Sequence, residues 1–231
     1  MIRRVLKRVV QRLAPRVPGA RRPDRTPPTT RAAWQATAAA DATATADEPN
    51  PEPDPEPEVA IEVEAETVAD WAAAGRDLLL VDIREPHEVV QGFADGALLV
   101  PMNDIPRSLA ALPADQTLII YCAAGVRSFG VAHWLRENGF EDTWSLVGGL
   151  GAWLSTGAGW AQPDRSAPFR PLERVVVADP GTEALPPPGT TGRVQAVRAD
   201  GADVLFTLSD GRMPRQDDVP FKALASADGR R

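Results

Sequence analysis

The chain is poor in the residues that build redox and metal sites. Its 231 residues include one cysteine, Cys122, and two histidines, His87 and His133. One cysteine excludes an internal disulfide and any zinc site assembled from several thiolates. The two histidines show no metal-ligand spacing, so neither a metal nor a cofactor is expected. No apolar run reaches the ~18 residues of a membrane span. The apolar core of a secretory signal, ~7–15 residues, is missing too. These absences lead to the expectation of a cytoplasmic protein.

Proline, by contrast, is plentiful. There are 23, and they cluster, which marks linkers rather than an evenly folded chain. Pro49, Pro51, Pro53, Pro55 and Pro57 alternate with mostly acidic residues, a pattern for an extended, self-repelling spacer. Charge is uneven as well. Residues 1–31 hold ten Arg/Lys against one acid, Asp24, leaving 15 basic and 31 acidic residues elsewhere. An acidic body argues against nucleic-acid binding. In the arm, Ile2, Val5, Leu6, Val9, Val10 and Leu13 recur at a helical period, with five cations opposite and Pro15 as a stop. Residues 1–13 therefore read either as a basic amphipathic helix making weak contact with a membrane surface, as a targeting segment, or as an arm that frays in isolation.

Three regions follow: the arm and linker over 1–57, an α/β domain over 58–162, and a small β module with a tail over 163–231. In the second, strands are expected at 59–63, 78–83, 97–100, 117–121 and 143–147. Helices are expected at 64–74, 86–90, 104–112 and 128–138, with a last one opened by Gly148-Gly149. Such alternation implies an α/β sandwich with a mainly parallel sheet. In the third region, 174–177, 192–197 and 204–208 read as strands, and Asp200-Gly201 and Asp210-Gly211 as turns. A barrel-like β module with an interaction role is expected there, since it holds no cysteine or histidine.

Cys122 falls where the strand 117–121 hands over to a helix. That place offers unpaired N–H groups and the positive end of a helix dipole, which stabilise a thiolate or a small anion. Lone cysteines are more often inert core residues, but this position reverses that reading. An ordinary cysteine is about 3% thiolate at pH 7, and both the helix terminus and Arg127 raise that fraction. Ala123, Ala124, Gly125 and Val126 keep the loop open, so backbone donors reach a ligand. Arg127 either orients an anionic donor or braces the loop. Asp82 and Arg84, at the end of a central strand, read as an ion pair supporting the loop, with Ser128 also in support. His133 reads as an ordinary helix residue.

Four pieces of this domain carry a resemblance. They are Val81-Asp82-Ile83-Arg84-Glu85-Pro86, Gly92-Phe93-Ala94-Asp95-Gly96-Ala97, Tyr121-Cys122-Ala123-Ala124-Gly125-Val126-Arg127-Ser128, and Leu146-Val147-Gly148-Gly149-Leu150-Gly151-Ala152-Trp153. In order and spacing the segment, about 59–161, resembles the rhodanese family of sulfurtransferases. The resemblance implies the family's three-layer α/β fold and a Cys122 that accepts a sulfane sulfur as a persulfide. Phe93-Ala94-Asp95 departs from the family's His-Ile-Pro. The implied partners are a small sulfur donor such as thiosulfate and a thiol or cyanide acceptor. A protein acceptor would be reached through the C-terminal module. A non-catalytic interaction module and a cysteine phosphatase are the competing readings. Phosphatases of related fold space their cysteine and arginine one residue further apart than the four residues between Cys122 and Arg127.

Overall fold

The computed structural model describes residues 60–179 and 184–229. The helix expected at 1–13 and the spacer expected at 14–57 lie outside the described residues. The first folded unit runs β1 (Glu62–Val63), α1 (Ala65–Ala73), β2 (Leu78–Asp82), α2 (Pro86–Val89), β3 (Phe93–Ala94), β4 (Leu98–Leu99), β5 (Thr117–Tyr121), α3 (Val126–Glu137), β6 (Thr143–Leu146), α4 (Gly149–Ser155) and β7 (Trp160–Ala161). Five of these strands form an all-parallel sheet in the order β1-β6-β5-β2-β4. The remaining two, β3 and β7, pair antiparallel, a contact that the sequence pattern does not reveal.

Central position explains composition. Every residue of β5 is buried, because helices cover both faces of the sheet. Successive side chains point to opposite faces. Ile119 and Tyr121 enter one core with Leu80, Val68 of α1 and Trp153 of α4. Leu118 and Ile120 enter the other, with Val131, Trp134 and Leu135 of α3. Cys122 continues this second set, so its side chain starts on the α3 side of the sheet.

Two expectations need correction. The helix expected over 104–112 is instead two 3-10 turns, Met102–Arg107 and Leu109–Ala111. The two part at Ser108, whose φ −108° and ψ 12° leave the helical region and end the first turn before the second begins. The helix expected from Ser128 begins at Val126, which puts Arg127 in its first turn.

The C-terminal module is all-β and antiparallel. It contains β8 (Arg174–Val177), β9 (Thr191–Val197), β10 (Gly201–Thr207), β11 (Arg215–Pro220) and β12 (Leu224–Ser226), ordered β11-β10-β9-β8-β12. The last two strands add to the three that the sequence suggests. The module has its own core, built on Val175, Val194, Val204 and Phe206. It also packs on the edge of the parallel sheet. The Gln195 amide accepts from Leu99 N–H at 2.8 Å and donates to Leu99 C=O at 3.3 Å. Arg193 reaches Asp104 at 2.5 Å. Leu172 joins the first core of the parallel unit, and Leu205 joins the second.

Candidate active site

The site is built on a tight turn between β5 and α3. Gly125, at φ +88°, is the N-cap of α3, a left-handed conformation that favours glycine. This turn folds the loop back over the sulfur: the Gly125 N–H lies 3.2 Å from Cys122 Sγ. Ser128 locks it from inside the helix. Its hydroxyl donates to Gly125 C=O at 2.9 Å, accepts from the Ser145 hydroxyl at 3.0 Å, and lies 3.8 Å from Sγ.

The loop rests on the start of α4. The Leu150 N–H donates to Cys122 C=O at 2.9 Å. At Gly149, φ +58°, an added Cβ would fall 2.4 Å from that same carbonyl oxygen. Backbone therefore meets backbone here, and this close approach is what Gly148-Gly149 contributes.

Cys122 itself is buried, whereas Ala123 and Ala124 are exposed and Val126 is 61% exposed. The sulfur is thus buried under a loop whose exposed residues, Ala123, Ala124 and Val126, are all apolar. Burial pushes the Cys122 thiol up, but the N–H groups of Ser128 and Ala124, the Ser128 hydroxyl and the Arg127 N–H outweigh it. The net effect is a thiol held below its ordinary value.

Arg127 is not a free cation. Its guanidinium holds both oxygens of Glu88, at 2.7 and 2.9 Å. This hydrogen bond, against some opposing desolvation, lowers the Glu88 carboxyl to about 2. Arg127 is raised, first by Glu88 and to a smaller extent by Cys122, which it also faces. Glu88 is fixed in turn by its own helix. It is the N3 residue of α2 and accepts from the Glu85 N–H at 3.0 Å in a capping box behind Pro86. Sequence reasoning missed Glu88. The capping signature was visible, but its meeting with Arg127 depends on β2 and β5 being neighbours.

Asp82 and Arg84 do form the expected ion pair, at 2.7 Å and buried. Arg84 also donates to Gly92 C=O at 2.8 Å, and the Tyr121 oxygen accepts from Ala94 N–H at 3.1 Å. The pair therefore braces the strand ends and the residue before Cys122. The structure brings Cys122, Ala124, Gly125, Arg127 and Ser128 together around the sulfur. Ala123 and Val126 are exposed on the same loop, and Asp82 and Arg84 stand behind it. His133 lies along α3 beside Glu137, at 3.7 Å. Among the described residues, no helix is long and apolar enough to cross a membrane.

A family model described as a rhodanese-like domain matches residues 64–156. A sulfurtransferase from Allochromatium vinosum is 36% identical over 99 residues, covering 43% of this chain and 92% of the relative. The thiosulfate sulfurtransferase GlpE of Pseudoalteromonas translucida is 36% identical over 77 residues, covering 33% of this chain and 73% of the relative. Among solved structures, a rhodanese-like domain protein from Staphylococcus aureus is 29% identical, with a TM-score of 0.40, covering 45% of this chain and 98% of its own. With the parallel sheet, the cysteine turn and the glycine platform in place, the chain belongs to the rhodanese-like family.

Proposed function

We propose that the protein is a sulfurtransferase that carries a sulfane sulfur on Cys122 as a persulfide. One observation supports this above the others: backbone N–H groups of the turn converge on a buried sulfur whose thiolate they favour. In the first half-reaction the thiolate attacks the outer sulfur of a donor. With thiosulfate, the new S–S bond forms at Cys122, the donor's S–S bond breaks, and sulfite leaves with the electron pair. The negative terminal sulfur then lies among the donors that held the thiolate. In the second half-reaction an acceptor thiolate or cyanide attacks that sulfur and Cys122 leaves as thiolate. No net oxidation occurs, and no second cysteine is needed. A protein acceptor, if used, would approach over the exposed apolar residues of the Cys122 loop, with the C-terminal module as the added contact surface.

Mass spectrometry of the purified chain after thiosulfate is the test. The expected result is the gain of one sulfur atom at Cys122, removed again by cyanide. Cys122→Ser should reduce transfer to background while leaving the circular-dichroism spectrum unchanged. Wild-type transfer by that variant would overturn the assignment.

A further inference from the structure

We propose that Glu88 is a positioning residue that sets donor specificity. By holding the Arg127 guanidinium with both carboxylate oxygens, it cancels the loop's cation and turns the site away from small dianions toward persulfides carried on a thiol. This rests on the sulfur-transfer reading above.

Four observations carry it. Arg127 is the one charged residue from Cys122 through Arg127. Its guanidinium is engaged in a two-point pair with Glu88, at 2.7 and 2.9 Å, the strong geometry for this interaction. Both side chains are largely shielded, 29% and 22% exposed, so solvent does not take over the pairing. The carboxylate is also not free to swing away, because the Glu85 N–H holds it from within α2 at 3.0 Å. A dianion approaching Cys122 therefore meets a neutral pair. To use Arg127 it must compete with a tethered carboxylate of like charge.

The loop's exposed surface suits a different donor. Ala123, Ala124 and Val126, its exposed residues next to Cys122 in sequence, are all apolar, which fits the carbon skeleton of a thiol. With such a donor, Cys122 thiolate attacks the outer sulfur of R–S–SH. The Cys122–sulfur bond forms, the donor's S–S bond breaks, and R–S⁻ leaves with the electron pair. The proton stays on the transferred sulfur, and charge is unchanged across the step.

Steady-state transfer by the full chain from thiosulfate and from cysteine persulfide tests this, in wild type and in Glu88→Gln. Glutamine keeps an oxygen for the Glu85 N–H, so the cap of α2 is retained. The wild type should prefer cysteine persulfide in kcat/KM by about tenfold or more. Glu88→Gln, freeing Arg127, should lower the thiosulfate KM by about fivefold while leaving the persulfide KM within about twofold. The pH profile of Cys122 alkylation by neutral iodoacetamide should shift toward acid, because an uncompensated Arg127 favours the thiolate. Glu88→Asp, which keeps the charge, should hold the wild-type preference. An unchanged or higher thiosulfate KM in Glu88→Gln, or an unmoved alkylation profile, overturns the proposal. If Cys122 takes sulfur from neither donor, the sulfur-transfer reading itself fails and this proposal with it. If it takes sulfur with the same thiosulfate KM in both proteins, the role of Glu88 alone is lost.

Discussion

At Ser128 one hydroxyl ties three parts of the site together: the Gly125 carbonyl, the Ser145 hydroxyl and the sulfur of Cys122. When Cys122 ionises, the hydroxyl proton can turn from the carbonyl to the sulfur while Ser145 continues to donate. Ser128→Ala removes that option and leaves the burial of the sulfur unchanged. The Ser128 N–H, the larger of the two Ser128 contacts, is kept in the variant, but the hydroxyl also lowers the thiol, so its loss must raise it. The pH of half-maximal iodoacetamide alkylation should therefore move upward, and the rate at neutral pH should fall. An unmoved profile would show that the backbone donors alone set the thiolate. Cys122 and Arg127 were legible in the sequence because both sit in one short motif. Glu88 was not, since its role requires two strands whose paired residues are 39 apart in sequence to lie side by side, as the Asp82–Tyr121 register places them.

Among the elements, the start of α4 matters as much as the loop that it carries. Gly149 has φ +58°, and a Cβ there would sit 2.4 Å from Cys122 C=O and 2.8 Å from the Ala123 carbonyl carbon and the Ala124 nitrogen. None of these is a flexible side-chain end, so Gly149→Ala forces the turn itself to move. The variant should lose most sulfur transfer and also melt earlier, with a cost of about 1–3 kcal/mol from the strained backbone alone. Normal transfer with a lowered melting point would mean that the turn tolerates displacement. Elements with strong patterns were readable: the apolar runs of β2 and β5, and the glycine-bounded helices. Elements whose form depends on one exception were not. A break at Ser108 divides the apparent helix into two 3-10 turns. β11, Arg215–Pro220, carries Arg-Gln-Asp-Asp and lacks an alternating apolar set. It is held in part by ion pairs, with Arg215 reaching the buried Asp203 at 3.0 Å.

Over the whole molecule, the question is whether the β module is an appendage or part of one cooperative unit. Gln195 decides it. In Gly192-Arg193-Val194-Gln195-Ala196-Val197 the glutamine occupies what alternation marks as a solvent-facing position, yet it is fully buried. The reason lies in β4, a two-residue strand at the edge of the parallel sheet, whose Leu99 amide and carbonyl face away from β2. A glutamine side chain has one acceptor and a donor group, so it satisfies both as a neighbouring strand would. Arg193 on Asp104, together with Leu172 and Leu205 in the two sheet cores, extends the same contact. Gln195→Leu keeps similar bulk but leaves two buried backbone groups unpaired, at about 1–3 kcal/mol each. Calorimetry of the full chain should give a single transition, with the variant melting roughly 5–10 °C lower and still in one step. Two resolved transitions in the wild type, of which the variant shifts only the one belonging to the β module, would show instead that the modules fold apart and that Gln195 merely docks them.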